Sequence, residues 1–209
     1  MCTMEKARMA RSRRSARFLF TLAAAAAAVT LYGPVAARGE CEPRWLPGEG
    51  IPGVNGDVRT VTTWDPDGGG PAAELLVVGG SFSVAGDVPA NNIAAWDGSR
   101  WQTLGTGTGY FGVRALTVYN GELIAGGEFT TAGGVACSRI ARWNGSQWQP
   151  LGTGMSGPSN PFVRTLTVYN GALIAGGSFT TAGGQVSAYW ARWGHSRRLR
   201  CLLPARRNL

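Results

Sequence analysis

Residues 123–151, LIAGGEFTTAGGVACSRIARWNGSQWQPL, decide how this chain is read, because the same stretch returns twice more. Residues 76–104, LVVGGSFSVAGDVPANNIAAWDGSRWQTL, align with it without a gap at a period of 47. Residues 173–193, LIAGGSFTTAGGQVSAYWARW, repeat it again at a period of 50. A second shared element precedes each copy: VRTVTTW from Val58, VRALTVY from Val113 and VRTLTVY from Val163. Self-similarity at such a period is the mark of a repeat architecture, in which each unit covers its apolar face with its neighbour.

Within a unit the pattern is β, with no helical periodicity. In the middle copy, Val113–Tyr119 is rich in β-branched and aromatic residues, and Asn120-Gly121 follows as a two-residue hairpin turn. Glu122–Phe129 reads as a second strand, Thr130–Cys137 as a glycine-containing loop and Ser138–Trp143 as a third strand. Asn144-Gly145 offers a second turn, and Gln147–Leu151 a fourth strand. Four short antiparallel strands per unit predict an all-β fold of β-propeller repeats. About three blades are expected, near residues 58–104, 113–151 and 163–193. The 32 glycines argue against long helices.

The recurring residues suit a blade. Gly79-Gly80, Gly126-Gly127 and Gly176-Gly177 lie inside the second strand, where glycine implies a close approach by a neighbour. Trp96/Trp101 and Trp143/Trp148 flank a turn five residues apart, so they can meet on adjacent strands and fill the wedge between blades. An exposed sugar-stacking platform is the competing use of these rings.

A glycine pair ending an apolar strand, an aromatic, a turn, and a Trp just before Leu resemble the Kelch pattern. The consensus is still closer to the Kelch-like repeats of secreted bacterial propeller proteins, over about Trp45 to Trp193. That resemblance implies a propeller and no particular activity. Kelch-like propellers include copper oxidases, whose Tyr, His and Cys ligand set has no counterpart here.

The ends differ from the body. Lys6, Arg8, Arg11, Arg13, Arg14 and Arg17 precede an apolar run, Phe18–Tyr32, and Val35-Ala36-Ala37 supplies small residues at a cleavage site. Residues 1–37 therefore read as a signal peptide, helical before cleavage ahead of Arg38. The run is short for a membrane span, so no stable span is expected after its removal. The Arg13-Arg14 pair hints at twin-arginine export, although Phe18-Leu19 lies far downstream. The formal charge of +8 sits at the ends: residues 1–37 carry six basic residues and one acid, and residues 194–209 five Arg and no acid. The body, residues 38–193, has nine Arg against eleven acids, or −2, which disfavours nucleic acid. After the signal, Cys41, Cys137 and Cys201 remain, with no zinc or redox spacing. Cys41 and Cys137 are expected to lie too far apart to pair.

Trp45-Leu46-Pro47-Gly48 resembles the fourth-strand run Trp148–Gly152 and reads as an orphan strand before the first blade. The third unit breaks after Trp193, leaving an incomplete propeller. Residues 194–209, GHSRRLRCLLPARRNL, read as an atypical basic tail, either frameshifted or an anchor, with the frameshift favoured. Val77, Phe82, Val118, Ile124, Phe129, Ile174 and Phe179 are apolar strand residues that an open three-blade arc cannot all cover.

No catalytic, cofactor or metal residue emerges. Asp65-Pro66-Asp67-Gly68-Gly69-Gly70 begins like a calcium loop but lacks the later acidic ligands, and it stands where the other units have a hairpin turn. Gly105-Thr106-Gly107-Thr108-Gly109 has no following helix to cradle phosphate. The single His195 falls in the tail, so body Ser and Thr have no histidine base. The expected protein is a non-enzymatic secreted or cell-envelope repeat protein with a binding or structural role. Its partners would be a protein or glycan ligand, with self-association through open blade faces. A fragment of a Kelch-like carbohydrate-active enzyme or oxidase, or a relic without function, is the alternative.

Overall fold

Asn120 and Gly121 adopt φ of 53° and 79°, and Asn170 and Gly171 φ of 48° and 69°. These left-handed pairs make two-residue turns whose twist matches that of the strands they join. Around such turns the chain, in a computed structural model that describes residues 52–194, builds successive antiparallel sheets. The expectations for residues 1–37, the Trp45–Gly48 strand and the tail beyond Gly194 lie outside the described residues.

The first sheet runs Asp57–Trp64, Leu75–Ser81, Ile93–Trp96 and Trp101–Thr103, in sequence order. The second repeats this with Val113–Tyr119, Glu122–Gly127, Ile140–Trp143 and Trp148–Pro150. The third has Phe162–Tyr169, Ala172–Ser178 and Trp190–Trp193. Among the described residues there is no helix, and hence none able to cross a membrane. The fold is all-β, a partial β-propeller.

Two local readings need correction. The stretch 130–137 is not a plain loop: Thr131–Ala132 and Val135–Ala136 form a small hairpin, turned by Gly133 and Gly134 at φ of 60° and 78°. The other blades have the same hairpin, Val84–Ala85 with Val88–Pro89 and Thr181–Ala182 with Gln185–Val186. The segment entering each blade pairs with it, through Val54↔Ala85, Thr108↔Ala132 and Met155↔Ala182. The turn at Asn144-Gly145 is likewise longer than expected. Trp143 pairs with Trp148, leaving residues 144–147 as the loop, in which Asn144 Oδ1 accepts the amides of Ser146 and Gln147. Asp97 does the same for Ser99 and Arg100. An Asx side chain replaces the second left-handed residue that a two-residue turn would need.

The core lies between blades. Trp64, Val77 and Ile93 of the first blade pack with Leu123, Phe129 and Trp148 of the second. Ile124 and Ile140 of the second pack with Val163, Leu173 and Phe179 of the third. Of the seven apolar residues that an open arc is not expected to cover in full, Val77, Phe82, Ile124, Phe129 and Phe179 are buried, while Val118 and Ile174 remain half-buried. Larger exposure falls at both ends of the array, on Tyr169 and Trp190 of the third blade, which has no following blade among the described residues, and on Val58 and Val61 of the first.

Candidate functional site

Each first strand carries a β-bulge: the register shifts between Val58 and Thr60, Val113 and Ala115, and Val163 and Thr165. The bulged residue is an arginine every time, Arg59, Arg114 and Arg164. A bulge re-aims its side chain, and here it turns Arg59 and Arg114 toward the entrance of the next blade, while Arg164 stands beside Phe162 of its own strand. Arg59 donates from a guanidinium nitrogen to the Phe111 carbonyl at 3.1 Å. The Arg114 guanidinium lies 4.9 Å from the Phe162 ring centroid, and Arg164 stands 5.2 Å from the same ring. Such stacking is favourable because the ring face is electron-rich.

The loop between the first two blades adds an exposed aromatic pair. Tyr110 and Phe111 are 88% and 60% exposed, with ring centroids 5.7 Å apart and edge to face. Phe111 has φ of 76°, uncommon for a bulky residue. Its carbonyl is held by Arg59 while its ring is left outside. Glu128 tempers the charge at this end of the second blade by pairing with Arg114 and, through its backbone carbonyl, accepting from Arg139. The resulting surface is a run of arginines and exposed aromatic rings, equipped to stack on and hydrogen-bond a ligand.

The carboxylates held in fixed geometry serve the fold. Asp97 is kept well below the usual carboxylate range by the Ser99 hydroxyl and the amides of Arg100 and Ser99. Glu122 pairs with Arg142 at 3.2 Å. Asp65 caps its own turn, accepting amides of Asp67, Gly68 and Gly69, so the calcium-like sequence is an enlarged hairpin between Trp64 and Leu75. Gly105–Gly109 joins blades, with Gly107 against the Asn91 carbonyl. Cys137 is free and buried, and burial pushes its thiol up. Among the described residues no group of three or more His, Cys, Asp or Glu gathers to hold a metal.

The tryptophan pairs are core, not platform. Trp96/Trp101 and Trp143/Trp148 each have centroids 5.4 Å apart, and all four rings are buried. The glycine pairs do mark close approach: a Cβ on Gly79 would meet Val113 Cγ1 at 2.7 Å, and one on Gly126 would meet Val163 Cγ1 at 2.5 Å. The bulged arginines were missed from sequence. The constant Val-Arg at the head of each first strand was the available signal.

Fold and repeat together define a β-propeller repeat protein. A β-propeller domain of unknown function, DUF5122, matches residues 120–145, the end of one first-strand hairpin through the third strand of the second blade. No curated protein and no solved structure matches the chain.

Proposed function

We propose that this chain is a non-catalytic, Kelch-like β-propeller module, exported to the medium or cell envelope, that binds a protein or glycan ligand. The observation that carries the reading is the exposed Tyr110–Phe111 pair beside the bulged Arg59. Solvent-facing aromatics on a loop held by a rigid sheet suit recognition, since stacking needs little side-chain ordering. The assignment of no catalysis is supported by the polar groups themselves. Asp65, Asp97, Glu122 and Glu128 are engaged in turns or ion pairs, and the Cys137 thiol is buried. Each of these groups is committed to a turn, an ion pair or the core.

Display of the full chain on glycan and peptide arrays tests the binding. Saturable capture that Tyr110→Ala and Phe111→Ala abolish, with the β circular-dichroism signal retained, is expected. Capture unchanged by both variants, or turnover of an arrayed glycan, would overturn the reading. Export is tested by N-terminal sequencing of protein from the medium or envelope, expected to begin near Arg38. Recovery of an uncleaved cytosolic chain would count against it.

A further inference from the structure

The third blade presents, unfinished, every feature that the first two use to receive a neighbour. In the first two blades the fourth strand brings a tryptophan onto the small hairpin. A Cβ on Gly86 would meet Trp101 Cδ1 at 2.8 Å, and one on Gly133 would meet Trp148 Cδ1 at 2.9 Å. A Cβ on the equivalent Gly183 would meet no described atom within 4 Å, and an apolar cavity of about 60 Å³ runs past Leu151, Ala182, Gly183 and Trp193. Trp190–Trp193 pairs with Ala172–Ser178 on one side, and no described strand pairs with its other edge.

The chain's own continuation is a poor fourth strand. The Asx residue that caps the turn in the other blades, Asp97 or Asn144, is replaced by Gly194. Five residues beyond Trp193, where Trp101 and Trp148 stand relative to Trp96 and Trp143, the sequence has Arg198. An arginine cannot fill an apolar slot cut for an indole without burying its charge.

Ahead of the first blade the chain also carries a sequence like that of a fourth strand, Trp45-Leu46-Pro47. The residues just after it are held as the chain is held on leaving a fourth strand. Gly53 accepts the Gly86 amide at 2.9 Å, as Gly107 accepts that of Gly133 and Gly154 that of Gly183, both at 2.8 Å. The Val54↔Ala85 bridge repeats Thr108↔Ala132 and Met155↔Ala182.

The outer face of the third blade agrees with this. Tyr119 and Ile140, 7% and 1% exposed, are covered in the second blade by the third. Their counterparts Tyr169 and Trp190 are 67% and 63% exposed, and with Ile174 and Arg192 they line a groove of about 540 Å³. In the two intact junctions the fourth strand of one blade leads directly into the blade that covers that face. One donor therefore accounts for both the strand edge and the face that no described residue covers.

We infer that the third blade is completed in trans: Trp45-Leu46-Pro47 of a second copy adds to the free edge of Trp190–Trp193, and that copy's first blade covers Tyr169 and Trp190. Two copies exchanging strands in this head-to-tail way form two identical junctions and a ring of six blades, within the four to eight that closed propellers use. The register follows from Trp143↔Trp148 and Arg142↔Gln149, so Trp193 faces Trp45 and Arg192 faces Leu46.

The test uses full chains carrying Leu46→Cys or Arg192→Cys, separately and mixed, under mild oxidation, with wild type measured by light scattering. Directly paired strand positions lie within disulfide reach. The expected results are a dimer mass for wild type and a disulfide-linked dimer that appears in the mixture and in neither variant alone. A Glu49→Cys chain in place of Leu46→Cys should not link. A well-behaved monomer at high micromolar concentration, a mixture that gives no linked dimer, or a Leu46→Cys/Arg192→Cys double variant that links within one chain would each overturn the inference.

Discussion

The Trp148 indole donates from Nε1 to the Leu104 carbonyl at 2.7 Å, a buried bond spanning 44 residues that ties the last strand of the second blade to the segment entering it. Trp101 does the same to the Pro52 carbonyl at 2.6 Å. The indole thus fills the slot over Gly133 and also satisfies a carbonyl that has left its own sheet.

Trp148→Phe separates these two roles. The ring keeps most of its packing, but the Leu104 carbonyl loses its donor, which costs about 1–3 kcal/mol for a buried group. Trp148→Ala loses packing as well and should cost about 3–5 kcal/mol. Urea unfolding of the full chain measures both. If Trp148→Phe unfolds within about 0.5 kcal/mol of wild type, the bond contributes nothing measurable.

Blade spacing is set by Gly126. A methyl there collides with Val163 of the next blade, so Gly126→Ala should destabilise by about 1–3 kcal/mol through overpacking. Gly176 holds the same place in the third blade, but a Cβ there would meet Thr165 Cγ2 of its own sheet at 2.9 Å and the Tyr189 carbonyl at 3.9 Å, with no residue of another blade, so Gly176→Ala should be milder. Combining Gly126→Ala with Val163→Ala should recover part of the loss, a coupling above about 0.5 kcal/mol. Strict additivity in that double variant would show that the two residues do not contend for the same space.

Acid sensitivity should carry a signature from Asp97. Its folded pKa is depressed below the ordinary 3.8, so its stabilisation is complete above that value. It is lost as the pH falls from there toward the folded pKa. Asn144 performs the same capping uncharged in the second blade. Asp97→Asn should therefore flatten the decline in urea midpoint below about pH 4, leaving the neutral value little changed. Parallel curves for variant and wild type down to pH 2 would contradict this.

One backbone position is strained in every blade. Asn92, Arg139 and Tyr189 precede the third strands with φ of 67°, 70° and 68°. Each is fixed on both sides, its amide to the carbonyl of Phe82, Phe129 or Phe179 and its own carbonyl to a glycine amide. Left-handed geometry costs a typical residue about 1–2 kcal/mol, and asparagine tolerates it best after glycine. Tyr189→Asn, matching the first blade, should raise stability by about 1 kcal/mol in urea unfolding. A loss instead would mean that the exposed Tyr189 ring contributes more than the strain costs.

How much of this was legible in the sequence depended on whether the cause was local. Asn120-Gly121 dictates its hairpin because both residues tolerate positive φ, and the β-branched and aromatic residues of Val113–Tyr119 favour a strand. The period of 47 to 50 residues then made the blade, and the Gly-Gly pairs announced a close neighbour without saying which. Tertiary structure decided that the neighbour is Val113 or Val163 of the next blade, and that 130–137 folds into a hairpin clamped by the incoming chain. It also decided that Arg59, Arg114 and Arg164 sit on bulges, since a bulge is a mismatch between two strands and neither strand's sequence contains it alone. Apolar residues on equivalent strands read alike, yet Tyr119 is buried and Tyr169 is exposed. Burial belongs to the pair of surfaces, and only the folded arrangement says which blade has a neighbour to cover it.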